Sequence, residues 1–312
     1  MNKELQISIH NSVWYDYYGG DANPTHAFAS AMDAGFEGID FNIGVKYPLN
    51  KIFAKEKSEF FSQDIETILK TYEPIKKAVE ATGIQLVQAH APMQLYFLKA
   101  TEDFNNHLMD VMEKTCAICQ YLGIPAVVVH PYCNYDASVI KDSVLKMYRR
   151  MIPFGKKYGV KICLENMHVT ANNGSDVRIG STCATADEVV SYVDTLNAEA
   201  GEEIFGYCFD LGHAALSKRN IREEINTLGH RLTVLHLHDN NGILDQHLAP
   251  MTQRMIDWDG LVLGLRDINY CGPINFESAA SMNNYPKELI PAMLKYTARV
   301  GKYIREKIIE ER

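Results

Sequence analysis

Strand-like and helix-like segments alternate eight times along this chain of 312 residues. Short runs rich in β-prone apolar residues predict strands near 5–10, 36–41, 84–90, 125–130, 160–165, 205–210, 232–238 and 273–277. Amphipathic segments between these runs, and a last one from 286 to 310, predict helices. Near-continuously apolar strands are typical of a parallel sheet covered by helices, and eight such strands can close a barrel. The alternation predicts a (β/α)8 TIM barrel, an α/β fold that forms a single domain over residues 1–312.

An open, doubly wound sheet is the main alternative to the barrel. That fold would normally carry a G-x-G-x-x-G phosphate turn after an early strand, and the chain has none. Single glycines instead precede five of the predicted strands, where they are expected to end helices in the left-handed conformation. These glycines are Gly35, Gly83, Gly123, Gly159 and Gly272.

Nine acidic and histidine residues lie at or shortly after the ends of the predicted strands. They are His90, His130, Glu165, Asp210, His213, His236, Asp245, His247 and Glu277. The carboxyl ends of barrel strands converge at one rim, where barrel enzymes place their chemistry. The spacing therefore predicts that these side chains share one site.

Four of the nine, at the ends of strands five to eight, predict a metal centre. Glu165, Asp210, His236 and Glu277 offer three carboxylates and one imidazole, which suit Mn²⁺, Co²⁺, Zn²⁺ or Fe²⁺ better than Ca²⁺. Three carboxylates gathered without a cation would raise one another's pKa at a cost in free energy. The alternative is that each residue bonds separately to a nearby loop.

The other five residues extend this predicted pocket. His90 and His130 could hold a second ion or bind sugar hydroxyls, and His213 lies one helical turn beyond Asp210. Asp245 and His247 form a D-x-H pair in a loop that could reach the same ions or the substrate.

Two glutamates beside a divalent ion indicate proton transfer at carbon. An ion that chelates a carbonyl and the neighbouring hydroxyl acidifies the C–H between them by stabilising an enediolate. We assign Glu165 and Glu277 as the acid and base, and His213 as the group that polarises the carbonyl oxygen. Return of the proton to the opposite face gives an epimer, and return to the adjacent carbon gives an aldose–ketose isomer.

Composition argues against several other classes of function. The net charge of −8 and the lack of a basic stripe disfavour nucleic-acid binding. No stretch is apolar and long enough to span a bilayer, and the start lacks a signal peptide's apolar region, so we expect a cytoplasmic location. Cys116 and Cys119 form a C-x-x-C within a predicted helix, where buried reduced thiols are expected.

Long loops are predicted after strands one, two and five, at residues 11–23, 42–58 and 166–184. Long loops at a catalytic rim often form lids and substrate walls. In the first loop, Trp14 and Tyr15 could stack on a sugar ring, but burial or a subunit contact in a homo-oligomer would explain them as well.

The chain resembles the sugar phosphate isomerase/epimerase family, the xylose-isomerase-like barrels that also include endonuclease IV-type enzymes for abasic DNA. The resemblance is carried by VVVHPY (127–132), CLENMH (163–168), CFDLGHAAL (208–216), HLHDNNGILDQHLAP (236–250), IDW (256–258) and INFES (274–278). It implies a metal on Glu165, Asp210, His236 and Glu277, with both glutamates as the acid/base pair and His213 on the substrate. In the endonuclease branch, the positions of His90, His130, His213, Asp245 and His247 hold further zinc ions.

The resemblance implies an epimerase or isomerase that uses Mn, Co or Zn, needs no nucleotide cofactor and acts on a free sugar, sugar phosphate or cyclic polyol. An inosose-dehydratase-like lyase and an endonuclease IV-like zinc phosphoesterase are the alternatives. One departure concerns the family's glycine-rich turn before I-D-W, which is replaced by Met251, Thr252 and Arg254. A phosphate cradle is not evident, although residues 279–285 could offer backbone N–H groups.

Overall fold

The computed structural model describes residues 5–133, 137–171, 175–253, 255–278 and 282–310. It contains ten strands, β1 to β10, in chain order. They are Ile7–His10, Gly38–Asn42, Gln85–His90, Ala126–Val129, Lys161–Glu165, His168–Thr170, Arg178–Gly180, Phe205–Asp210, Leu232–His236 and Ile274–Phe276. Eight of them coincide with the predicted strands, and β6 and β7 form an additional antiparallel hairpin in the loop after β5.

The eight predicted strands form one parallel sheet in the order β10-β1-β2-β3-β4-β5-β8-β9. The two ends of the sheet meet just beyond β9, where Leu237 pairs in parallel with Phe276. The Leu237 N–H donates to Asn275 O at 2.9 Å, and the Glu277 N–H donates to Leu237 O at 3.0 Å. These bonds bring the two edges together, so the predicted TIM barrel is confirmed.

Thirteen α-helices, α1 to α13, are described around and above the sheet. They are Val13–Tyr17, Pro24–Ala34, Leu49–Phe53, Ile65–Thr71, Glu73–Thr82, Glu102–Leu122, Ala137–Arg149, Ile152–Tyr158, Ala186–Ala200, Leu211–Leu216, Ile221–Leu228, Trp258–Asp267 and Ile290–Ile309. The short helices α1, α3 and α10 lie in the segments that follow β1, β2 and β8, so they help build the rim. No helix in the described part of the chain is long and apolar enough to cross a lipid bilayer.

Four of the five predicted helix-ending glycines have the expected left-handed backbone, with φ of 110°, 76°, 74° and 63° at Gly35, Gly83, Gly123 and Gly159. The prediction for Gly272 is wrong. Asn269 takes the left-handed conformation after α12, with φ of 53°. Gly272 is needed for space instead, because a Cβ there would lie 2.5 Å from the carbonyl oxygen of Thr233.

The inside of the barrel has an apolar half and a polar half. On the side of β4, β5, β8 and β9, a small cluster is formed by Ala126, Val128, Cys163, Cys208 and Val234. On the opposite side, Asn275 Nδ2 of β10 donates to Asp40 Oδ2 of β2 at 2.9 Å, although β1 lies between these strands. Such a bond has to run through the interior, so a buried polar network lies below one part of the rim.

The cysteines described are all free, and Cys116 and Cys119 are buried in α6. Burial raises the pKa of the Cys116 thiol to about 12. Both thiols are therefore neutral core groups, as the helical C-x-x-C predicted.

Candidate active site and metal centre

The four predicted metal ligands converge at the carboxyl end of the barrel. Glu165, Asp210 and His236 are the last residues of β5, β8 and β9, and Glu277 directly follows β10. His236 Nδ1 lies 2.9 Å from Glu165 Oε1, 3.2 Å from Glu277 Oε2 and 4.0 Å from Asp210 Oδ2. One imidazole nitrogen therefore faces all three carboxylates, which is the grouping that the strand-end pattern predicted.

His90 and His130 flank this group on the side of β3 and β4. His130 Nε2 lies 3.1 Å from Glu165 Oε2, and His90 Nε2 lies 3.5 Å from Glu277 Oε1. The rings of His90 and His236 are stacked, with centroids 4.4 Å apart. Each histidine thus contacts one of the two glutamates.

His213 reaches the site from α10. The Asp210 carboxylate accepts the backbone N–H of His213 at 2.7 Å, which caps this short helix and fixes the ring above the strand ends. His213 Nδ1 lies 2.7 Å from the carbonyl oxygen of Asn166. Because a carbonyl only accepts, Nδ1 carries the proton, and Nε2 is directed towards Asp245 at 3.5 Å.

Asp245 stands among four imidazoles. Its carboxylate oxygens lie 3.1 Å from His247 Nε2, 3.2 Å from His168 Nε2 and 3.7 Å from His238 Nε2. His213 is the fourth partner. The D-x-H pair thus joins the site, and it brings two histidines that the sequence analysis did not single out.

His238 is fully buried, and its Nε2 lies 3.1 Å from both carboxylate oxygens of Asp210. Gly212 makes room for it, because a Cβ at that position would lie 2.0 Å from the imidazole Cε1. His236 and His238 are two residues apart, which in an extended chain places both rings on the same face, so both reach the site.

A buried carboxylate, Asp40, lies beneath His90. It contacts His90 Nδ1 at 3.0 Å and His236 Nε2 at 3.6 Å, and it accepts from Gln88 Nε2 at 3.0 Å and from Asn275 Nδ2 at 2.9 Å. Sequence reasoning missed this residue, although Asp40 lies near the end of β2 in the same way as the predicted ligands.

Opposite charges balance within the site. Burial raises the pKa of the Glu165 carboxyl, but His236 and His130 outweigh burial and hold it well below its usual value. Burial lowers the pKa of His213, but Asp210 and Asp245 outweigh it and raise that pKa to about 10. In the same way, His213 and His238 hold the pKa of Asp210 at about 2. Charged imidazoles therefore balance the buried carboxylates.

The donor set fits a divalent ion of intermediate hardness. Buried nitrogen and oxygen atoms at the rim have no hydrogen-bond partner among the described residues, including His90 Nε2, His236 Nε2 and Asp245 Oδ1. Several groups of three or four His, Asp and Glu side chains place one ligand atom each within 4.8 Å of one another. A cation would satisfy these atoms and take over the neutralisation of the carboxylates.

A cavity of about 340 Å³ opens onto this group. Seven of the nine predicted residues line it: His90, His130, Glu165, His213, Asp245, His247 and Glu277. Asp210 and His236 lie beneath them and are fully buried. Val45, Leu49 and Met93 add an apolar wall from the loops after β2 and β3, and no lysine or arginine is among the described residues that line the cavity.

Trp14 and Tyr15 lie away from this cavity's lining. Trp14 is fully buried and donates its indole N–H to the carbonyl oxygen of His10 at 2.7 Å. Tyr15 donates its hydroxyl to Asp21 at 3.1 Å and lines a neighbouring cavity. Burial, one of the three interpretations given for Trp14, accounts for its position, and a substrate contact for either residue stays a prediction.

The turn that replaces the family's glycine-rich segment is tied to Asp239. The backbone N–H groups of Thr252 and Gln253 donate to Asp239 Oδ2 at 2.7 Å and 2.9 Å, and Met251 has a left-handed φ of 62°. Arg254, and residues 279–281 of the predicted phosphate cradle, lie outside the described residues.

Comparisons with known proteins agree with this architecture. Residues 28–298 match the family described as the xylose isomerase-like TIM barrel. The uncharacterised protein y4fM of Sinorhizobium fredii is 33% identical over 285 residues, which cover 85% of this chain and 82% of the relative. The sequence similarity therefore covers most of both proteins.

Solved structures with low sequence identity share the fold. A D-psicose 3-epimerase from Clostridium cellulolyticum H10, solved with D-tagatose, superposes with a TM-score of 0.69 at 15% identity, over 97% of this chain and 99% of the other. A structure of the IolI protein with a zinc atom gives a TM-score of 0.67 at 16% identity, over 98% and 99% of the two chains. On the match over residues 28–298, the chain belongs to the family of xylose isomerase-like TIM barrels.

Proposed function

We propose that this protein is a divalent-metal-dependent epimerase or isomerase that moves a proton at a carbon beside the carbonyl of a sugar or cyclic polyol. The observation that carries the proposal is the placement of Glu165 and Glu277, which lie 2.9 Å and 3.2 Å from the same nitrogen of His236. Two carboxylates that flank one point of a cavity can serve the two faces of a planar intermediate.

Glu165, Asp210, His236 and Glu277 are the residues that would hold the ion. When bound, a divalent cation supplies Lewis acidity that makes the C–H next to a carbonyl easier to ionise. The structure of the IolI protein with a zinc atom supports a metal in a barrel of this shape.

The two glutamates would act as base and acid. Burial raises the pKa of the Glu277 carboxyl, but His236 and His90 outweigh burial and lower it, so this carboxyl is ionised and able to accept a proton. Glu165 would hold or return a proton on the other face. His213, whose ring is fixed through Nδ1 by Asn166, would direct Nε2 at the substrate's oxygen.

The cavity lining favours an uncharged carbohydrate. A phosphodiester would place a monoanionic group, and a sugar phosphate a dianionic group, beside Glu165, Asp245 and Glu277, and no described lining residue is a lysine or arginine. The D-psicose 3-epimerase solved with D-tagatose supports the same substrate class. A lyase that removes a β-hydroxyl would use the same C–H ionisation and is the second candidate.

The proposal is tested by exchange of substrate hydrogen with solvent deuterium. A panel of ketoses and inososes is incubated with the protein in D₂O and Mn²⁺, Co²⁺ or Zn²⁺, and NMR follows the loss of the C–H signal. We expect exchange that needs the metal and that Glu277→Gln loses for the epimer whose proton Glu277 removes, while Glu59→Gln, on an exposed carboxylate, exchanges normally. Absence of exchange in the whole panel, together with nicking of abasic duplex DNA, would overturn the proposal in favour of a phosphoesterase.

A further inference from the structure

A second cavity, of about 580 Å³, adjoins the first at the rim. The loops after β1, β2 and β10 form its walls, and two residues, Asn42 at the end of β2 and Val45 in the loop that follows, line both cavities. The backbone N–H of Asn42 donates to Asn11 Oδ1 at 2.6 Å, which holds this shared wall against the β1 loop. The two cavities are therefore neighbours that share one wall.

The walls of the second cavity combine aromatic rings with hydrogen-bonding groups. Tyr15, Tyr17 and Phe41 supply the rings, and Tyr17 is 40% exposed. Asp16 is an exposed carboxylate, and the buried Ser12 Oγ has no hydrogen-bond partner among the described residues. Aromatic faces beside carboxylate, amide and hydroxyl groups suit a neutral ring that carries many hydroxyls.

The charges that line this cavity balance one another. Lys46 Nζ lies 2.8 Å from Asp21 Oδ2, and the Tyr15 hydroxyl donates to Oδ1 of the same carboxylate. Asp16 and Lys287 add one charge of each sign, so the lining has no net charge and favours a neutral ligand. A purely apolar group would not use the Asp16 carboxylate as a hydrogen-bond acceptor.

We propose that the second cavity binds a further sugar unit, so that the substrate is a glycosylated ketose instead of a free monosaccharide. This inference rests on the proposed function, because the reacting sugar is placed beside Glu165 and Glu277. The added unit is bound and not cleaved. It contributes affinity through the Tyr17 ring and through hydrogen bonds to the Asp16 carboxylate.

Binding to the metal-loaded protein tests the inference without relying on turnover. Titration calorimetry compares D-fructose with three disaccharides that carry a fructose unit: isomaltulose, lactulose and turanose. We expect at least one disaccharide to bind about tenfold more tightly than D-fructose, which corresponds to about 1.4 kcal/mol. Tyr17→Ala and Asp16→Asn should each reduce that advantage and leave the affinity for D-fructose unchanged.

Tyr303→Ala is the matched control, because Tyr303 is 43% exposed on α13 and lies outside the lining of this cavity. Equal or weaker binding of all three disaccharides would overturn the inference, and so would a disaccharide advantage that survives in both variants. Tight disaccharide binding without deuterium exchange would retain the sugar site and reject the proposed reaction. Exchange of D-fructose without a disaccharide advantage would retain the reaction and reject the second site.

Discussion

His90 Nδ1 lies 3.0 Å from Asp40 Oδ1, and both side chains are buried beneath the rim. A carboxylate only accepts hydrogen bonds, so this contact places the proton on Nδ1 and leaves Nε2 free to face the cavity. Two further donors, Gln88 and Asn275, hold the Asp40 carboxylate in place. Asp40 is thus a positioning residue that fixes the tautomer and the direction of His90.

Replacement of this carboxylate is expected to impair the site while the barrel stays folded. Asp40→Asn keeps one oxygen that can accept hydrogen bonds from its neighbours, but it no longer fixes the tautomer and direction of the His90 ring. We expect kcat/KM to fall by roughly 10- to 100-fold. NMR of ¹⁵N-labelled histidine should show a second tautomer of His90. Asp33→Asn, on an exposed residue of α2, is the control. An unchanged rate and an unchanged His90 signal would show that Asp40 only supports the fold.

Acid should destabilise the metal-free protein through His10. Burial, assisted by the neighbouring His90, lowers the pKa of His10 to about 4 in the folded protein, whereas the unfolded residue titrates near 6.5. Between these values the unfolded chain binds more protons, so stability is full above pH 6.5 and is lost as the pH falls towards 4. The loss attributable to this group is about 3 kcal/mol.

Urea denaturation of EDTA-treated protein from pH 7 to pH 4 measures this effect. Both ring nitrogens of His10 lack hydrogen-bond partners among the described residues, so Phe can replace the ring without leaving a donor unpaired. In His10→Phe the free energy of unfolding should fall less steeply as the pH decreases, because unfolding of this variant takes up about one proton fewer than unfolding of the wild type. His26→Gln, on an exposed histidine, should follow the wild type. Identical pH profiles for His10→Phe and wild type would contradict the assignment.

Metal removal is expected to lower thermal stability. A ligand that binds only the folded state stabilises it by about 2.7 kcal/mol at a free concentration of 100 times its Kd. Melting curves with EDTA, and after return of Mn²⁺, Co²⁺ or Zn²⁺, should therefore differ in Tm. Asp210→Asn should diminish this difference, because Asp210 is one of the four proposed ligands. A Tm that does not respond to any of the three ions would contradict a metal centre at the barrel rim.

The sequence predicted the barrel because its strands are buried on both faces. Such strands stand out as apolar runs, and each of the eight appears within two or three residues of its predicted bounds. The hairpin of β6 and β7 was not predicted, since its strands are only three residues long and lie partly exposed. The ligand pattern was visible for the same reason as the strands: a charged side chain that ends an apolar run is conspicuous.

Asp40 and His238 were harder to predict. Asp40 stands inside the run GIDFN, and its partners Gln88 and Asn275 are 48 and 235 residues away in sequence. Pairing of β2 with β3 places Gln88 beside Asp40, and the curvature of the sheet across β1 brings Asn275 to them. His238 depends on the absence of a side chain at Gly212, another contact that spacing along the chain does not reveal.

The central claim is that Glu165 and Glu277 serve opposite faces of one carbon. Its most direct test is the rate of deuterium exchange for each of the two epimers of an accepted substrate, in Glu165→Gln and Glu277→Gln, with metal content measured on the same samples. We expect each metal-loaded variant to retain exchange of one epimer, a different one in each case, and to form no product. Equal exchange of both epimers in either variant, or continued epimerisation, would contradict the two-glutamate account.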